Sequence, residues 1–421
     1  MRGSLVIGGG LFAAQFLGFV RQLIVGYLLG TGSEADALSA AMAPVETWWT
    51  IVGVALIYGF GPLFAEGRSG GPCRVAGVLW PVTQLSAIVT GVLFLFARPI
   101  LVAFAPGVDE QTTALGTRLL QVFSLSVPGM SAAFVYTSFL FSRRKFLVAS
   151  FQHATVNVAT ILGALMLYTY WGAFAFAAGY VAGVWLQLLV NYLSVRPLIA
   201  TQPQEGDRLS MKQVVTIPGP ILTQALAIEA NVAVTRAYAS TFGVGMTAAF
   251  EFAYKLLRVP AALLVVPLSQ ALLPELAGHP DTASHYREPL RTTVRATWLL
   301  AALTATALIA MVLIRRPLVA LLFERGEFGE DSTSAVALIL LAYAPAMFGR
   351  VIADFLSRLL FAIGKMRVPA VSAVAALVIN LVICVLLPST WPELIGLGAI
   401  LGFLAGSLQL VRYISELRRN A

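Results

Sequence analysis

The chain has 421 residues, of which 58% are hydrophobic and only 11% charged, and its formal net charge is +8 at pH 7. Soluble domains carry roughly a quarter charged residues, so this composition excludes a water-soluble globular protein. The apolar runs have the length of membrane-spanning helices, which argues against the short alternating strands of a β-barrel. We therefore predict an all-α fold, that of a polytopic helical membrane protein.

Turn residues and charges divide the apolar sequence into about twelve predicted transmembrane helices. Each run approaches the ~20 residues that a helix needs to cross the hydrocarbon core. A stretch at 318–330 is amphipathic and is expected to lie along the membrane interface. The predicted spans are 5–30, 37–64, 75–104, 113–140, 147–170, 173–195, 212–240, 245–275, 291–314, 333–362, 368–387 and 394–415.

The positive charges lie mainly in alternate loops between these spans. This alternation places both termini in the cytoplasm by the positive-inside rule, and it explains the net charge without a nucleic-acid partner. The two cysteines, Cys73 and Cys384, and the three histidines have no ligand-like spacing. The sequence therefore predicts no disulfide framework, no metal site and no cofactor.

The longest polar break, at 200–209, divides the spans into two sets of six. We predict an N-terminal six-helix lobe (1–199), a cytoplasmic linker (200–210) and a C-terminal six-helix lobe (211–421). In each half a span and a basic loop lead into a span that contains an asparagine, Asn157 or Asn380. Internal duplication with a substrate site between the repeats is common among transporters; two similar hairpins arising by chance are the alternative.

Arg21 lies well inside the first predicted span. A cation there is costly, so it usually faces a watery, protein-lined interior and contacts an anion. The alternative is an anchor that snorkels to a membrane face. The central position of Arg21 in the run 5–30 favours the interior site.

Other ionisable residues inside the predicted spans share helix faces, because they are spaced by three, four or seven positions. Asp354 has an arginine on either side, so local pairing and a functional charge network are equally compatible with that face. Lys255 and Arg258 share one acidic residue on their helix face, Glu251, which leaves about one positive charge without a partner on that face. With Arg21, this predicts a net cationic interior that favours an anionic ligand such as a phosphate. The residues of this possible charge network, apart from the cations just named, are Glu46 in the second span, Glu229, Arg236, Glu251, Arg350, Asp354 and Arg358.

Soluble-enzyme motifs are missing from the sequence: we find no Gly-rich phosphate loop and no assembled catalytic triad or zinc motif. The chain is therefore interpreted as a transporter and not as an enzyme. Because no nucleotide-binding motif is present, we expect an ion gradient or the membrane potential to drive it, with a possible coupling ion.

Several motifs, in the same order along most of the chain, closely resemble those of the MurJ/MviN family. This family comprises the lipid II flippases of the multidrug/oligosaccharidyl-lipid/polysaccharide exporter superfamily. The motifs are Gly18-Phe19-Val20-Arg21-Gln22, Gly30-Thr31-Gly32 with Ala35-Asp36-Ala37, Gly59-Phe60-Gly61-Pro62, Lys255 to Pro260 with Leu272-Leu273-Pro274, Leu322-Phe323-Glu324-Arg325-Gly326-Glu327-Phe328, and Gly364-Lys365-Met366-Arg367-Val368-Pro369.

The resemblance implies two six-helix lobes around a central cationic cavity, working by alternating access in the bacterial cytoplasmic (inner) membrane. The implied partners are a polyprenyl-diphosphate-linked saccharide as substrate, membrane lipids and possible cell-wall synthesis proteins. By position, Arg21 matches the family's first-helix arginine and Asp36 its aspartate after the first turn. Lys255 matches a cavity arginine.

The sequence also departs from the family pattern. Gln22 replaces an acid, and Arg258 replaces another acid one turn after the cavity cation. A functional arginine of the second span falls on Trp48 or Trp49, either of which could stack on sugar rings. Typical members have two further helices after the twelve expected here. The candidate substrate-binding residues are Arg21, Asp36, Lys255, Arg258, Trp48 and Trp49.

The leading hypothesis is a flippase for an undecaprenyl-diphosphate-linked, lipid II-like cell-wall precursor. Three alternatives within transport or assembly stay open: a flippase for another lipid-linked polysaccharide, a cation-coupled drug exporter and a non-transporting scaffold of wall synthesis. A cationic interior disfavours cationic drugs. A membrane enzyme acting on polyprenyl phosphates is disfavoured because such enzymes need acidic metal-binding loops, and the loops here are short and basic.

Overall fold

Helices make up all the regular secondary structure that a computed structural model describes for this chain. The described residues are 2–56, 64, 75–143, 145, 147–148, 151–199, 209–216, 219–277, 287–387 and 390–420. Several sequence features lie outside these ranges. They are the Gly59-Phe60-Gly61-Pro62 motif, Arg68, Cys73, Arg74, Arg144 and positions 200–208 of the predicted linker.

Eight helices in the described part of the chain are long and apolar enough to cross a membrane, and Ala13–Leu29 is a shorter apolar helix. The predicted all-α membrane fold is thereby confirmed, while the number of twelve spans stays a prediction. The chain separates into two compact units: Met1–Ala225 with Arg325–Glu327, and Leu226–Glu324 with Phe328–Ala421.

The helices of the first unit are α1 (Arg2–Leu29), α2 (Ser33–Val54), α3 (Val75–Leu95), α4 (Ala97–Phe104), α5 (Glu110–Ser124), α6 (Val127–Ser142), α7 (Gln152–Trp171), α8 (Phe174–Ile199) and α9 (Met211–Thr216). Small residues let α7 and α8 pack closely. A Cβ atom on Gly163 would lie 2.8 Å from the Cα atom of Gly179. Such close approach is how helices associate in lipid, where no hydrophobic force drives them together.

The predicted span 113–140 corresponds to the candidate membrane span Glu110–Ser142, in which a short turn at 125–126 separates α5 from α6. Pro128 lies in the first turn of α6. It has no N–H group to donate to the carbonyl four residues earlier, that of Ser124. The Thr90 hydroxyl of α3 lies 3.4 Å from this carbonyl oxygen, and it also donates at 2.8 Å to the Ser86 carbonyl of its own helix.

Two glycines hold the α1–α2 turn against the segment Arg325–Glu327. Gly30 and Gly326 both have positive φ, 57° and 62°, which favours glycine. The Glu327 amide donates to the Tyr27 carbonyl at 3.0 Å. A Cβ atom on Gly30 would collide with the Glu327 carbonyl, and one on Gly326 with the Tyr27 carbonyl.

The helices of the second unit are α10 (Gly219–Ser240, entering the unit at Leu226), α11 (Met246–Ala277), α12 (Arg287–Leu313), α13 (Arg315–Phe323), α14 (Glu330–Ala362), α15 (Arg367–Leu386) and α16 (Leu397–Asn420), with a 3-10 turn at Pro392–Leu394. Helices α11 and α14 pack together, and so do α15 and α16. The stretch 318–330, predicted to be one amphipathic segment, is helical only to Phe323. Residues 324–329 form a turn that contains Gly326 with its positive φ, and Glu330 begins α14.

The two asparagines that suggested a repeat make equivalent contacts within their own units. Asn157 of α7 donates from Nδ2 to the Ala14 carbonyl of α1 at 3.1 Å. Asn380 of α15 donates from Nδ2 to the Asn231 carbonyl of α10 at 3.0 Å. In each unit, therefore, an amide tethers the fifth predicted span of the half to its first.

Candidate functional site

Arg21 is buried in α1 and pairs with an acid on the neighbouring helix. Its side chain is 10% exposed, and its Nη2 atom lies 3.5 Å from Oε1 of Glu46 on α2. The arginine therefore lies inside the protein and does not snorkel to a membrane face. In this structure Glu46 balances its charge, so the net cationic interior expected from the sequence does not arise from Arg21 alone.

Asp36 lies in the first turn of α2 and is 1% exposed. Its backbone amide donates to the Gly32 carbonyl at 3.0 Å. A carboxylate in the first helical turn interacts favourably with the helix dipole. This placement gives Asp36 a part in fixing the start of α2.

Trp48 and Trp49 are half-buried and belong to the interior of the first unit. The Trp48 indole donates from Nε1 to Oγ of Ser131 at 3.2 Å. The Trp49 ring centre lies 4.7 Å from that of His153 and 6.4 Å from that of Tyr180. The contact between His153 and Trp49 could not be predicted, because it depends on how α2 and α7 pack.

In the second unit, Glu251 joins two cations. Its Oε2 atom lies 2.8 Å from Nη2 of Arg236, and its Oε1 atom lies 3.0 Å from Nζ of Lys255. Glu251 and Arg236 are each 5% exposed. The sequence assigned Glu251 to Lys255 and Arg258 on the same helix face; the second cation at this carboxylate is instead Arg236, which comes from α10.

Arg350 contacts two other helices and not its own neighbour Asp354. Its Nη1 atom donates to the Tyr254 hydroxyl at 2.7 Å, and its Nη2 atom lies 3.8 Å from Oε1 of Glu229. Asp354 pairs with Arg358 one turn later, at 3.3 Å. The local pairing expected on this face is therefore present for one of the two arginines.

Arg258 is exposed, and no carboxylate of the described residues lies within ion-pair distance of it. Its guanidinium carbon lies 5.7 Å from the ring centre of Tyr254, within the range of a cation–π contact.

The ionisable residues that we predicted inside the spans of the second unit are five cations and three carboxylates. The cations are Arg236, Lys255, Arg258, Arg350 and Arg358, and the carboxylates are Glu229, Glu251 and Asp354.

Three aromatic rings that the sequence analysis missed support these charges. Phe250 and Tyr254 stack at 5.8 Å between ring centres with an interplanar angle of 10°. Tyr343 of α14 meets both rings edge-on, at 5.3 Å and 6.1 Å. Phe250 and Tyr254 precede Glu251 and Lys255 by one position each, so the charge pattern marked this segment but not its aromatic residues.

The described residues contain no group of three or more His, Cys, Asp or Glu side chains placed to hold a metal ion. The cations described above, Arg21 in the first unit and the charged cluster of the second unit, are chemically suited to bind an anion. Desolvated cations, and guanidinium groups above all, form strong hydrogen bonds to phosphate oxygens.

Comparisons with solved structures place the fold among known transporters. A lipid II flippase MurJ in an inward closed conformation gives a TM-score of 0.81 at 18% sequence identity, covering 99% of this chain and 90% of that one. An inward-facing multidrug resistance MATE family transporter of the MOP superfamily gives 0.72 at 14% identity, covering 97% and 96%. At such identities the likeness shows a shared fold.

Sequence relatives are longer than this chain. The probable lipid II flippase MurJ of Rhizobium tropici is 28% identical over 367 residues, which cover 82% of this chain and 66% of that protein. The lipid II flippase MurJ of Burkholderia cenocepacia is 25% identical over 397 residues, covering 90% and 76%. The chain thus spans 66% to 76% of these two relatives. The profile of the lipid II flippase MurJ family matches residues 27–419, and the chain therefore belongs to that family.

Proposed function

We propose that this protein moves an undecaprenyl-diphosphate-linked cell-wall precursor of the lipid II type across the bacterial cytoplasmic membrane by alternating access. Family membership supports the substrate class. The observation that carries the proposal is the surplus of positive charge among the predicted ionisable residues of the second unit, where five cations accompany three carboxylates. A diphosphate diester carries negative charge at two neighbouring phosphates, so it complements this surplus.

Lys255 and Arg258 are the groups we propose to contact the diphosphate. They are adjacent on α11, and Arg258 keeps its charge available because it rests on an aromatic ring and not on a carboxylate. A planar guanidinium can bind a phosphate with two parallel hydrogen bonds, whereas the ammonium acts as a point charge. The remaining charge network of the second unit holds the two cations in place.

In the first unit, Arg21 is the proposed anion-binding group. It can bind a phosphate when its 3.5 Å contact with Glu46 opens. Trp48 and Trp49 are the candidates to stack on sugar rings, and Asp36 fixes the helix that carries them.

The proposal includes the arrangement in the membrane. The multi-pass chain would have both termini in the cytoplasm and two six-helix lobes, 1–199 and 211–421, joined by the linker 200–210. An ion gradient or the membrane potential would drive the cycle through a coupling ion. Cysteine-accessibility labelling of single-cysteine variants at positions 2 and 420 in intact cells and in inverted vesicles tests the orientation; labelling of either position from outside intact cells would contradict it.

Complementation tests the function directly. Cells depleted of their own lipid II flippase receive the wild-type protein, the double variant Lys255→Gln/Arg258→Gln or the control Arg98→Gln. Arg98 is a matched control because it is a surface cation, 64% exposed and paired with Glu110.

We expect growth with the wild-type protein and with the Arg98→Gln control but not with the double variant, provided that membrane levels are equal. A wild-type protein that fails to restore growth would contradict the flippase proposal and favour the scaffold. A double variant that grows like the wild type would contradict the site assignment alone.

A further inference from the structure

Tyr254 lies where two of the cations meet. Its hydroxyl accepts a hydrogen bond from Nη1 of Arg350 at 2.7 Å. Its ring centre lies 5.7 Å from the guanidinium carbon of Arg258 and 5.6 Å from that of Arg350. One side chain therefore contacts an arginine of its own helix and an arginine of α14.

The Tyr254 ring is held rigidly. It is 5% exposed, stacks on Phe250 at 5.8 Å, and meets the edge of Tyr343 at 6.1 Å. A side chain that is packed between other rings keeps one rotamer. The two guanidinium groups that contact the Tyr254 ring are therefore held in defined positions.

A tyrosine can orient an arginine without neutralising it. A carboxylate partner would cancel the positive charge that the anion needs, as Glu251 does for the buried Arg236. The phenol hydroxyl and the ring face are uncharged, and both attract a guanidinium group. Arg350 also forms an ion pair with Glu229 at 3.8 Å, so of the two arginines it is Arg258 whose charge no carboxylate of the described residues balances.

From this geometry we infer that Tyr254 is a positioning residue, which orients the guanidinium groups of Arg258 and Arg350 toward the diphosphate of the lipid-linked substrate. The inference rests on the proposed function. Two parts of the Tyr254 side chain then act on different arginines: the hydroxyl positions Arg350, and the ring face positions Arg258.

Tyr254→Phe removes the hydroxyl and keeps the ring. The matched control is Tyr343→Phe in the same aromatic group, because the Tyr343 hydroxyl is buried and has no hydrogen-bond partner in the described structure. The probes are lipid II and undecaprenyl diphosphate, whose affinities are measured for the purified protein in detergent micelles. Lipid II translocation is measured in proteoliposomes.

We expect Tyr254→Phe to weaken the affinity for both probes about tenfold, the effect of losing a hydrogen bond to a charged group. It should raise the half-saturating lipid II concentration more than it lowers the maximal rate. Tyr343→Phe should behave like the wild type. Tyr254→Leu, which also removes the ring, should weaken binding further, and this extra loss should disappear in an Arg258→Gln background.

A double-mutant comparison separates positioning from a structural role. In a Glu229→Gln/Arg350→Gln background, which removes the ion pair as a neutral unit, Tyr254→Phe should have no additional effect. The inference is overturned if Tyr254→Phe binds both probes like the wild type. It is also overturned if Tyr254→Phe weakens binding by the same factor in the Glu229→Gln/Arg350→Gln background as in the wild-type protein. A wild-type protein that binds neither probe refutes the proposed function, and the inference with it.

Discussion

Replacing Glu251 with Gln is expected to destabilise the second unit by about 3–5 kcal/mol, the usual cost of removing one partner from a buried ion pair. The carboxylate contacts Arg236 at 2.8 Å and Lys255 at 3.0 Å. Gln has nearly the same shape but no charge. The buried guanidinium of Arg236 thus loses its close counter-charge while it stays out of water.

The same substitution at Glu46 provides an internal standard. That carboxylate is 28% exposed and lies 3.5 Å from its arginine, so the loss is expected to be smaller than at Glu251. Thermal unfolding in detergent, followed by tryptophan fluorescence, measures both. The chain has 7 tryptophans to report the transition.

A third variant tests the stated cause. Arg236→Gln combined with Glu251→Gln removes the buried cation together with its partner, so the double variant should be more stable than Glu251→Gln alone. A Glu251→Gln variant that unfolds at the wild-type midpoint, or a second substitution that lowers the midpoint further, would contradict this cause.

Three further predictions concern the first unit. Glu46→Gln should tighten the binding of undecaprenyl diphosphate, measured by titration in micelles, because it frees Arg21; unchanged or weaker binding would contradict this. Gly30→Ala should lower the unfolding midpoint, since its φ of 57° is strained for alanine and the facing carbonyl leaves no room. Gly91→Ala should not lower the unfolding midpoint, because a Cβ atom on Gly91 would have no atom within 4 Å. Equal midpoints for the two variants would refute the steric argument. Asp109→Ala should destabilise α5 at neutral pH, because the Asp109 carboxylate accepts a hydrogen bond from the backbone amide of Thr112 in the first turn of the helix.

The pH dependence of the Asp109 contribution has a definite sign. Hydrogen bonds from Thr112 hold the pKa of this carboxyl below its ordinary value of 3.8. A lowered pKa in the folded state means that the stabilisation is present above the ordinary pKa and is lost as the pH falls through the folded value. The difference in midpoint between wild type and Asp109→Ala should therefore shrink only in strong acid; a difference that already vanishes near pH 6 would contradict the assignment.

Residue type and spacing along one helix were enough to select Arg21 and Lys255 as candidate residues and to predict the Asp354–Arg358 pair. A charge in an apolar run is visible in the sequence, and so is a partner four positions away. The membrane fold followed from composition for the same reason, since each long apolar run has one stable backbone conformation in lipid.

Partners on different helices could not be predicted. Arg236 meets Glu251, and Arg350 meets Tyr254, because α10, α11 and α14 are rotated to bring those faces together. That rotation depends on how the three helices pack, which the spacing along any one helix does not determine.

Translocation of lipid II by the purified protein tests the central claim most directly. Proteoliposomes containing wild type, Arg21→Ala, Lys255→Gln/Arg258→Gln or the Arg98→Gln control are loaded with labelled lipid II in one leaflet, and its arrival in the other leaflet is timed. We expect transfer above protein-free vesicles for the wild type and for Arg98→Gln, and strongly reduced transfer for the other two. A wild-type protein that moves no lipid, or cation variants that move it at the wild-type rate, would contradict the account.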